Sequence, residues 1–390
     1  MKTISFPSFA VAARSLAALI PSFIIPTVAI AAACTLGISA ATAQIIVGQS
    51  APLTGSNADF GKDVRDGATA YFKKVNDAGG VAGQMIKLVT LDDKNDAKMS
   101  GENAKKLVNN ENAVALFGFA SATLSLPAMP VVAEKHVPFF APFTGADTIR
   151  KQNNYVYTIR VTYTEEIEKL VTFWGSLGAS RIAVLHYDDT VGKQNFESVA
   201  ASLKKFGATP TSIAIQRNVE MNEASVNQVI AANPQMILVT TLAAPAAKLI
   251  TSLNVLNKPY PVTSLSFAGA SQIAKALGDK AAGITIALTV PAPRDVHIPV
   301  VKECAEVWRG AGNTRPMSVT ALEACIAAKV LVEGMKRAGK EVTRESLQKS
   351  LSALTRVDVG GFEIVFKPGF HHGGKFVDIA VIRASGELRS

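Results

Sequence analysis

The chain has 390 residues, of which 48% are hydrophobic and 18% are charged, with 40 Lys and Arg against 31 Asp and Glu. This length suits two or three ordinary domains, and so few charges exclude a disordered or coiled-coil protein. The basic residues form no run of five and do not alternate with aromatic residues. We therefore expect no nucleic acid as a partner.

The first 43 residues have the features of an export signal. Lys2 and Arg14 accompany an apolar, almost uncharged stretch at 15–38, and Ala41-Thr42-Ala43 offers a small-x-small cleavage site. A transmembrane anchor is the competing interpretation, because the apolar stretch is long enough to span a bilayer. The small-residue ending favours cleavage, so we predict a signal peptide at 1–43 and a mature protein in the periplasm.

The sequence contains three cysteines. A lipid anchor on Cys34 is disfavoured, because the three alanines before it lack the large aliphatic residue usual at such sites. Cys304 and Cys325 lie on two consecutive predicted helices in an oxidising compartment. A disulfide and two buried thiols are both compatible with this placement. Two cysteines without further ligands do not make a zinc site.

Beyond residue 44, short apolar strands alternate with amphipathic helices. Strands are predicted at 45–49, 85–91, 113–117, 137–140, 181–186, 236–240, 262–265 and 284–288. Helices are predicted at 62–77, 97–109, 164–177, 191–206, 223–232 and 244–256, and they resume at residue 299. This alternation is typical of an α/β protein with mostly parallel sheets flanked by helices. Such sheets bind ligands beyond the carboxyl ends of their strands.

Two extended, polar or proline-containing segments, 155–164 and 289–293, interrupt this alternation. The first follows one set of strand–helix units, and the second follows another set that begins at residue 181. The arrangement predicts two lobes joined by extended segments.

Motifs of known catalytic chemistry are missing from the sequence. It contains no G-x-S-x-G elbow, no Walker loop and no H-E-x-x-H pair. Asp92, Asp93 and Asp96 lack the spacing of a calcium loop, so we predict a solvated turn and a helix cap there. Glu165 and Glu166 open a predicted helix, where negative charge suits the helix dipole. We expect no enzyme, no cofactor and no metal.

Small polar residues follow two of the predicted strands. Residues 118–123 come after one strand and residues 142–146 after the next, each before a helix that runs towards Glu134 or Arg150. Free backbone N–H groups at helix starts, with hydroxyl groups beside them, can bind a carboxylate. The alternative is ordinary helix capping by the side chains of Ser121, Thr123 and Thr144.

The stretch PLTGSNADFGKDVRDGATAYFKKVNDAGGVAGQMIKLVTLDD from Pro52 resembles the opening of the leucine/isoleucine/valine-binding protein family. These proteins are type I periplasmic solute receptors of ABC importers. Further similar stretches follow in family order: PFFAPFTGADTIR from Pro138, RIAVLHYDDTVGKQ from Arg181, SLSFAGA from Ser264 and VGGFEIVFKPG from Val359. The resemblance covers essentially the whole predicted mature chain.

The resemblance implies the two-lobed type I periplasmic binding protein fold, with three hinge crossovers near 160–164, 288–293 and 360–376. Lobe 1 would comprise residues 44–161 and 291–361, and lobe 2 would comprise residues 162–290 and 362–390. The family binds its ligand between the lobes, and the closed form docks on ABC permease subunits in the membrane. We expect a monomer that performs no chemistry. A ligand sensor of the same fold, acting on a regulatory partner, is the alternative.

The resemblance also carries over site positions, and the carboxylate seat of the family matches the two polar segments described above. The predicted ligand-binding residues are Phe60, Ala120, Ser121, Ala122, Thr123, Phe143, Thr144, Gly145, Tyr187, Val191, Leu242, Ala243, Ser266 and Phe267.

Ser266 falls where the amino-acid receptors carry an acidic residue that pairs with the ammonium group of the ligand. A buried ammonium without such a partner is costly. We therefore favour a small-molecule carboxylate without an ammonium group, such as an aromatic or aliphatic acid. A branched-chain or other amino-acid ligand is the main alternative, with Asp188 and Asp189 as the nearest acidic partners.

Overall fold

A computed structural model describes residues 44–55, 57–151, 154–217, 219, 221–367 and 369–390. The predicted signal peptide lies outside the described residues. Within these ranges, every helix is too short or too polar to cross a membrane.

The described residues alternate strands and helices along the chain, as the sequence predicts. The strands are β1 (Ile45–Ala51), β2 (Ile86–Asp92), β3 (Ala115–Phe117), β4 (Phe139–Phe140), β5 (Val156–Tyr157), β6 (Ile182–Tyr187), β7 (Thr211–Ile215), β8 (Met236–Thr240), β9 (Val262–Ser264), β10 (Thr285–Leu288), β11 (Val357–Asp358), β12 (Glu363–Ile364), β13 (Asp378–Ile382) and β14 (Leu388–Arg389). The helices are α1 (Ala58–Asp77), α2 (Ala97–Asn109), α3 (Ser121–Ser125), α4 (Met129–Lys135), α5 (Asp147–Arg150), α6 (Tyr163–Ser176), α7 (Thr190–Leu203), α8 (Glu223–Ala232), α9 (Ala243–Val255), α10 (Ala270–Leu277), α11 (Pro299–Gly310), α12 (Val319–Arg337) and α13 (Arg344–Ser352).

Two larger sheets form the centres of the two lobes. The sheet of lobe 1 has five strands in the order β2-β1-β3-β4-β5, all parallel. The sheet of lobe 2 has seven strands in the order β14-β13-β10-β9-β8-β6-β7, of which β13 and β14 are antiparallel additions. Because all residues of β6 and β8 are buried, the central strands carry apolar side chains on both faces. The predicted α/β fold class is confirmed.

The chain passes between the two sheets three times. It leaves the first sheet after β5, leaves the second after β10, and returns to the second after β12. The first and third passages pair with each other, since the N–H of Thr158 donates to the carbonyl oxygen of His371 at 2.9 Å. A Cβ atom on Gly374 would lie 2.3 Å from the carbonyl oxygen of Ile159, so this close approach requires glycine. The residue boundaries given above for the lobes stay a prediction.

Helices α11 to α13 return to lobe 1, where α12 packs along α1. Gly67 makes this crossing possible, because a Cβ atom there would lie 2.2 Å from the carbonyl oxygen of Ala321. The buried core of lobe 1 therefore includes Phe72 from α1 and Ile326 from α12. Cys304 and Cys325 form a disulfide that joins α11 to α12, which decides the alternative that the sequence leaves open.

The helix predicted between residue 118 and Glu134 is interrupted. It forms as α3 and α4, separated by a single 3-10 turn at Leu126–Ala128. Pro127 in this turn has no N–H to donate, and its ring disfavours a continuous α-helix. The interruption leaves α3 as a short separate helix beside the first polar segment.

Candidate functional site: the cleft between the lobes

A cleft of about 560 Å³ lies between the two lobes, and both lobes line it. Its walls come from segments that follow β3 and β4 in lobe 1 and β6, β8 and β9 in lobe 2. This placement agrees with the expectation that parallel sheets bind ligands beyond the carboxyl ends of their strands.

Most of the predicted ligand-binding residues lie along this single cleft. Those in its lining are Phe60, Ala120, Ser121, Ala122, Thr123, Phe143, Thr144, Tyr187, Val191, Leu242, Ala243 and Phe267. Gly145 and Ser266 lie outside the lining. Ligand binding by these residues stays a prediction, to which the structure adds their common location.

The two polar segments of lobe 1 lie side by side and are joined by backbone hydrogen bonds. The N–H of Phe143 donates to the carbonyl oxygen of Phe119 at 2.8 Å, and the N–H of Ser121 donates to the carbonyl oxygen of Phe143 at 3.2 Å. Ser121 has a φ of 77°, a left-handed conformation that non-glycine residues seldom adopt. Such backbone strain tends to occur at functional sites, since the surrounding structure must stabilise it.

The alternative of ordinary N-capping by the side-chain hydroxyls of this seat is wrong, because the N-cap residues of α3 and α5 are Ala120 and Ala146, which have no side-chain hydroxyl. Two of the hydroxyls instead make local contacts with the backbone. The hydroxyl of Ser121 accepts from the N–H of Leu124 at 3.4 Å, and that of Thr144 accepts from the N–H of Ala146 at 3.1 Å. The contact of Ser121 leaves the proton of its hydroxyl unused, because a hydroxyl has two acceptor positions and one donor, whereas Thr144 gives its proton to Tyr163. The N–H groups of Ala122 and Thr123 begin α3 and so have no carbonyl of their own helix to bind.

Tyr163 is a cleft residue that the sequence interpretation missed. It begins α6, and its phenol oxygen accepts a hydrogen bond from the hydroxyl of Thr144 at 3.2 Å. Burial raises the pKa of Tyr163, so the phenol is neutral and keeps its own proton for another acceptor. Tyr163 contacts lobe 1 through Thr144, and its ring lies 5.1 Å from that of Phe267, which belongs to lobe 2 as Tyr163 does.

Gly145 and Ser266 lie outside the lining for different physical reasons. A Cβ atom at Gly145 would lie 2.7 Å from the ring of Tyr163, so this glycine makes room for the tyrosine. Ser266 faces the protein interior, where its N–H and its hydroxyl both donate to the carboxyl group of Glu166, at 2.8 and 2.9 Å. The neighbouring Phe267 lines the cleft instead.

Glu166 is fully buried on α6, which the sequence interpretation missed. Burial raises the pKa of Glu166 to about 7, against the opposing effect of Arg160. The neighbouring Glu165 forms the expected contact at the helix start, where it makes a capping box with Thr162. The helix-dipole interpretation therefore suits Glu165, whereas Glu166 fixes the turn that holds Phe267.

A buried ion pair lies behind the lobe 1 wall of the cleft. Arg160, on the first passage between the lobes, donates two hydrogen bonds of 2.7 Å to the carboxylate of Glu323 on α12. The guanidinium of Arg160 also lies 5.6 Å from the ring centre of Phe143, which lines the cleft. Burial lowers the pKa of Arg160, but Glu323 outweighs this effect and raises the pKa above its ordinary value.

Lobe 2 contributes a cation that the sequence interpretation also missed. Arg217 follows the edge strand β7, and its guanidinium lies 3.9 Å over the ring of Tyr187. It also donates two hydrogen bonds, of 2.9 and 2.7 Å, to Asp189. Its charge is therefore already neutralised by a carboxylate, and Asp189 is not free to pair with an ammonium group.

The mouth of the cleft is crossed by an exposed ion pair. Lys275 on α10 of lobe 2 contacts the carboxylate of Asp59 on α1 of lobe 1. The hydrogen bond from Lys275 lowers the pKa of Asp59. The other acidic residue of the lining, Asp96, accepts from the N–H of Met99 and caps α2, as predicted. Among the described lining residues, both carboxylates are thus already engaged.

The comparisons with known proteins agree with this geometry. A family model described as "Periplasmic binding protein" matches residues 44–387. An amino acid binding protein of Pseudomonas aeruginosa is 29% identical over 183 residues, which are 46% of this chain and 49% of that protein. The chain spans about half the length of the curated relatives it matches.

Solved structures share the fold over most of the chain. A substrate-binding periplasmic protein from Ralstonia solanacearum has a TM-score of 0.83 and 31% identity, covering 88% of this chain and 99% of that one. An ABC transporter solute binding protein from R. palustris, in complex with benzoate, has a TM-score of 0.78 and 18% identity, covering 89% of this chain and 95% of that one. At that identity, the second comparison shows the fold alone.

Proposed function

Since this chain belongs to the periplasmic binding protein family, we propose that it is an extracytoplasmic receptor of an ABC importer. It captures a small carboxylate between its two lobes, closes on it and presents it to permease subunits in the membrane. It performs no chemistry on the ligand.

The observation that carries this proposal is the seat in lobe 1. Two polar segments, which the sequence places after neighbouring strands, are hydrogen-bonded to each other at the wall of the cleft. They bring the N–H groups of Ala122 and Thr123 and the hydroxyl of Thr123 to the cleft, where the phenol of Tyr163, which accepts from Thr144, keeps its own proton for a ligand. Such a set of donors suits the two oxygens of a single carboxylate.

The wall of the cleft favours an acid without an ammonium group. Phe60, Phe143, Tyr163, Tyr187 and Phe267 supply aromatic surface from both lobes. Both carboxylates of the described lining are already engaged, so a buried ammonium group would lack a partner. An aromatic or aliphatic acid meets the apolar surface without this cost.

The comparisons support both an acid and an amino acid as ligand classes. The P. aeruginosa relative is an amino acid binding protein, and the R. palustris structure holds benzoate. The engaged carboxylates favour the benzoate-like class for this chain.

Isothermal titration calorimetry of the purified protein tests the ligand class. We expect benzoate or hexanoate to bind more tightly than leucine or phenylalanine. Tight binding of leucine would overturn the proposal of an ammonium-free ligand, while leaving the receptor function intact. Binding of none of the four would contradict the carboxylate receptor itself.

Two substitutions test the seat. Thr123→Val removes a hydroxyl that can donate to the carboxylate, and Thr144→Val removes the hydroxyl that orients the phenol of Tyr163. We expect each to weaken carboxylate binding by about ten-fold, the typical effect of one lost hydrogen bond. Thr211→Val is the matched control, because Thr211 is exposed on the edge strand β7, outside the cleft. Unchanged affinity in both seat variants would contradict the assignment.

Uptake measurements separate import from sensing. Cells that lack this protein should lose high-affinity uptake of the radiolabelled acid, and expression of the protein should restore it. Unchanged uptake, with a lost transcriptional response to the acid, would favour the sensor instead.

A further inference from the structure

Asn195 lies at the point where the cleft meets a second groove. It belongs to α7 of lobe 2 and is 4% exposed. It lines the cleft and also an adjoining groove of about 470 Å³, to which α6 and α7 contribute. Tyr163 and Val191 line both spaces as well, so these three residues form the junction between them.

The side-chain amide nitrogen of Asn195 has no hydrogen-bond partner in the part of the chain that the structure describes. Other polar side chains that lobe 2 presents to the cleft do have partners. Thr240, for example, donates to the carbonyl oxygen of Leu185 at 3.3 Å, and the phenol of Tyr187 accepts from the N–H of Leu242 at 3.3 Å.

An amide buried without a partner reduces the stability of a protein, and native structures seldom contain one without a reason. The surroundings do not require an amide at this position. Val191, Phe196 and Val199 on the same helix belong to or pack against an apolar cluster, so leucine would suit the site better. The feature that distinguishes this position is its contact with the cleft.

We propose that Asn195 determines ligand specificity from lobe 2. Its amide hydrogen-bonds a hydroxyl or carbonyl oxygen at the end of the ligand that lies away from the carboxylate. The inference rests on the proposed function and makes it narrower: the ligand is a carboxylic acid that bears a second oxygen group. The adjoining groove gives that group room.

The two polar contacts then come from opposite lobes. Lobe 1 holds the carboxylate at the seat, and Asn195 reaches the other end of the same molecule from lobe 2. A ligand that makes both contacts favours the closed state over the open one, because only closure brings both walls to it. A hydroxyl suits this role, since it can donate to the amide oxygen or accept from the amide nitrogen.

Matched ligands test the proposal by calorimetry. One series is benzoate with its three monohydroxy isomers, and the other is hexanoate with 6-hydroxyhexanoate. In the unmodified protein, we expect at least one hydroxylated acid to bind about ten-fold more tightly than its parent. Asn195→Leu should abolish this preference while it retains the affinity for the parent acid.

Thermal unfolding without ligand separates specificity from a structural role. Because leucine removes an unpaired buried amide, Asn195→Leu should unfold at the same temperature as the unmodified protein or at a higher one. Asn109→Leu, the same chemical change at the exposed end of α2, is the control and should keep the ligand preference.

The outcomes distinguish this inference from the proposed function. If parent acids bind but no hydroxylated acid is preferred, or if Asn195→Leu keeps the preference, the role of Asn195 is overturned and the receptor stands. A lower unfolding temperature of the ligand-free variant would show that the amide is structural, and would also overturn it. If no acid binds, both proposals fail.

Discussion

Two ion pairs lie at opposite sides of the cleft. One lies on the hinge side, where the chain passes between the lobes, and the other lies at the mouth. They differ in how far they are exposed to solvent. At the hinge, the side chains of Arg160 and Glu323 are 3% and 4% exposed and share two hydrogen bonds. At the mouth, the side chains of Lys275 and Asp59 are 73% and 49% exposed. The first pair lies within the packed interior, and the second connects two lobes across solvent.

This difference assigns the two pairs different roles. A buried charge that loses its partner is costly, so Arg160 and Glu323 must stay together whether the cleft is open or closed. An exposed pair contributes little, because each charge is solvated once the pair separates. Lys275 and Asp59 can therefore part when the cleft opens. For the proposed receptor we therefore expect closure to depend on the ligand, while the hinge pair keeps the passage between the lobes in place.

Removal of one hinge charge should have the largest effect. Glu323→Gln takes the hydrogen-bonded carboxylate away from the buried guanidinium of Arg160, and we expect the free energy of unfolding to fall by about 3–5 kcal/mol. Urea denaturation followed by circular dichroism measures this loss. The double variant Arg160→Met with Glu323→Leu should recover most of it, since an apolar pair carries no charge to bury. A loss below about 1 kcal/mol in Glu323→Gln would make the hinge pair equivalent to an exposed one.

The disulfide offers a second stabilising element in lobe 1 that involves no charge. Replacement of Cys304 and Cys325 by alanine should lower the free energy of unfolding by about 3 kcal/mol, as expected for a loop of this length. Ligand affinity should stay unchanged, because neither cysteine lines the cleft. A loss of affinity comparable with that of the seat variants would show that the α11–α12 connection also controls the cleft.

The buried carboxyl group of Glu166, on the hinge side, predicts that the free energy of unfolding depends on pH. It is buried near Arg160 and Glu323 and accepts two hydrogen bonds from Ser266. Because its pKa is raised to about 7 in the folded state, the folded protein holds this proton more tightly than the unfolded chain does. The contribution to stability is complete below the ordinary pKa of a glutamate and is lost as the pH rises through about 7.

Glu166→Gln measures this contribution against the unmodified protein. Between pH 5 and pH 8, the free energy of unfolding of the variant should rise relative to that of the unmodified protein, by on the order of 2 kcal/mol. Urea denaturation of both proteins at each pH gives the difference between their free energies of unfolding. The contributions of the other titrating groups cancel in this difference. A difference that does not vary with pH would contradict the raised pKa.

The mouth pair should give the smallest effect. We expect Lys275→Met to change the free energy of unfolding by less than about 1 kcal/mol, and any change should shrink further at high salt. The exposed Lys258, on the loop after α9, provides the control substitution Lys258→Met. A loss above about 2 kcal/mol specific to Lys275 would remove the contrast between the two sides.

Local patterns in the sequence predict much of this fold. The helices α2 and α8 and the strand β8 match the prediction residue for residue, because Asp96 and Asn222 cap the helices and β8 is a continuous apolar run. The strand β7 was not predicted. It lies at the sheet edge and buries only Ile213 and Ile215, so its apolar signal is weak.

In the candidate site, too, some residues follow from local sequence patterns and others do not. Small polar residues after adjacent strands predict the seat, because strand ends meet at one edge of a parallel sheet. Arg217 and Asn195 reach the cleft from an edge strand and a helix, and no local pattern marks them. The pair of Arg160 and Glu323 joins residues 163 positions apart, so only the folded chain brings these charges together.

The packing of α1 against α12 has a consequence for the order in which the protein folds. The apolar face of α1, with Val64 and Phe72, is covered by residues that come more than 240 positions later in the chain, such as Ile326. Strands β6 to β10 of lobe 2, in contrast, come with their connecting helices from one continuous stretch of the chain, residues 182–288. As the chain emerges residue by residue, lobe 2 can assemble its central strands first. Lobe 1 appears first, but its core is complete only once α12 has been made, so the apolar face of α1 stays uncovered until then.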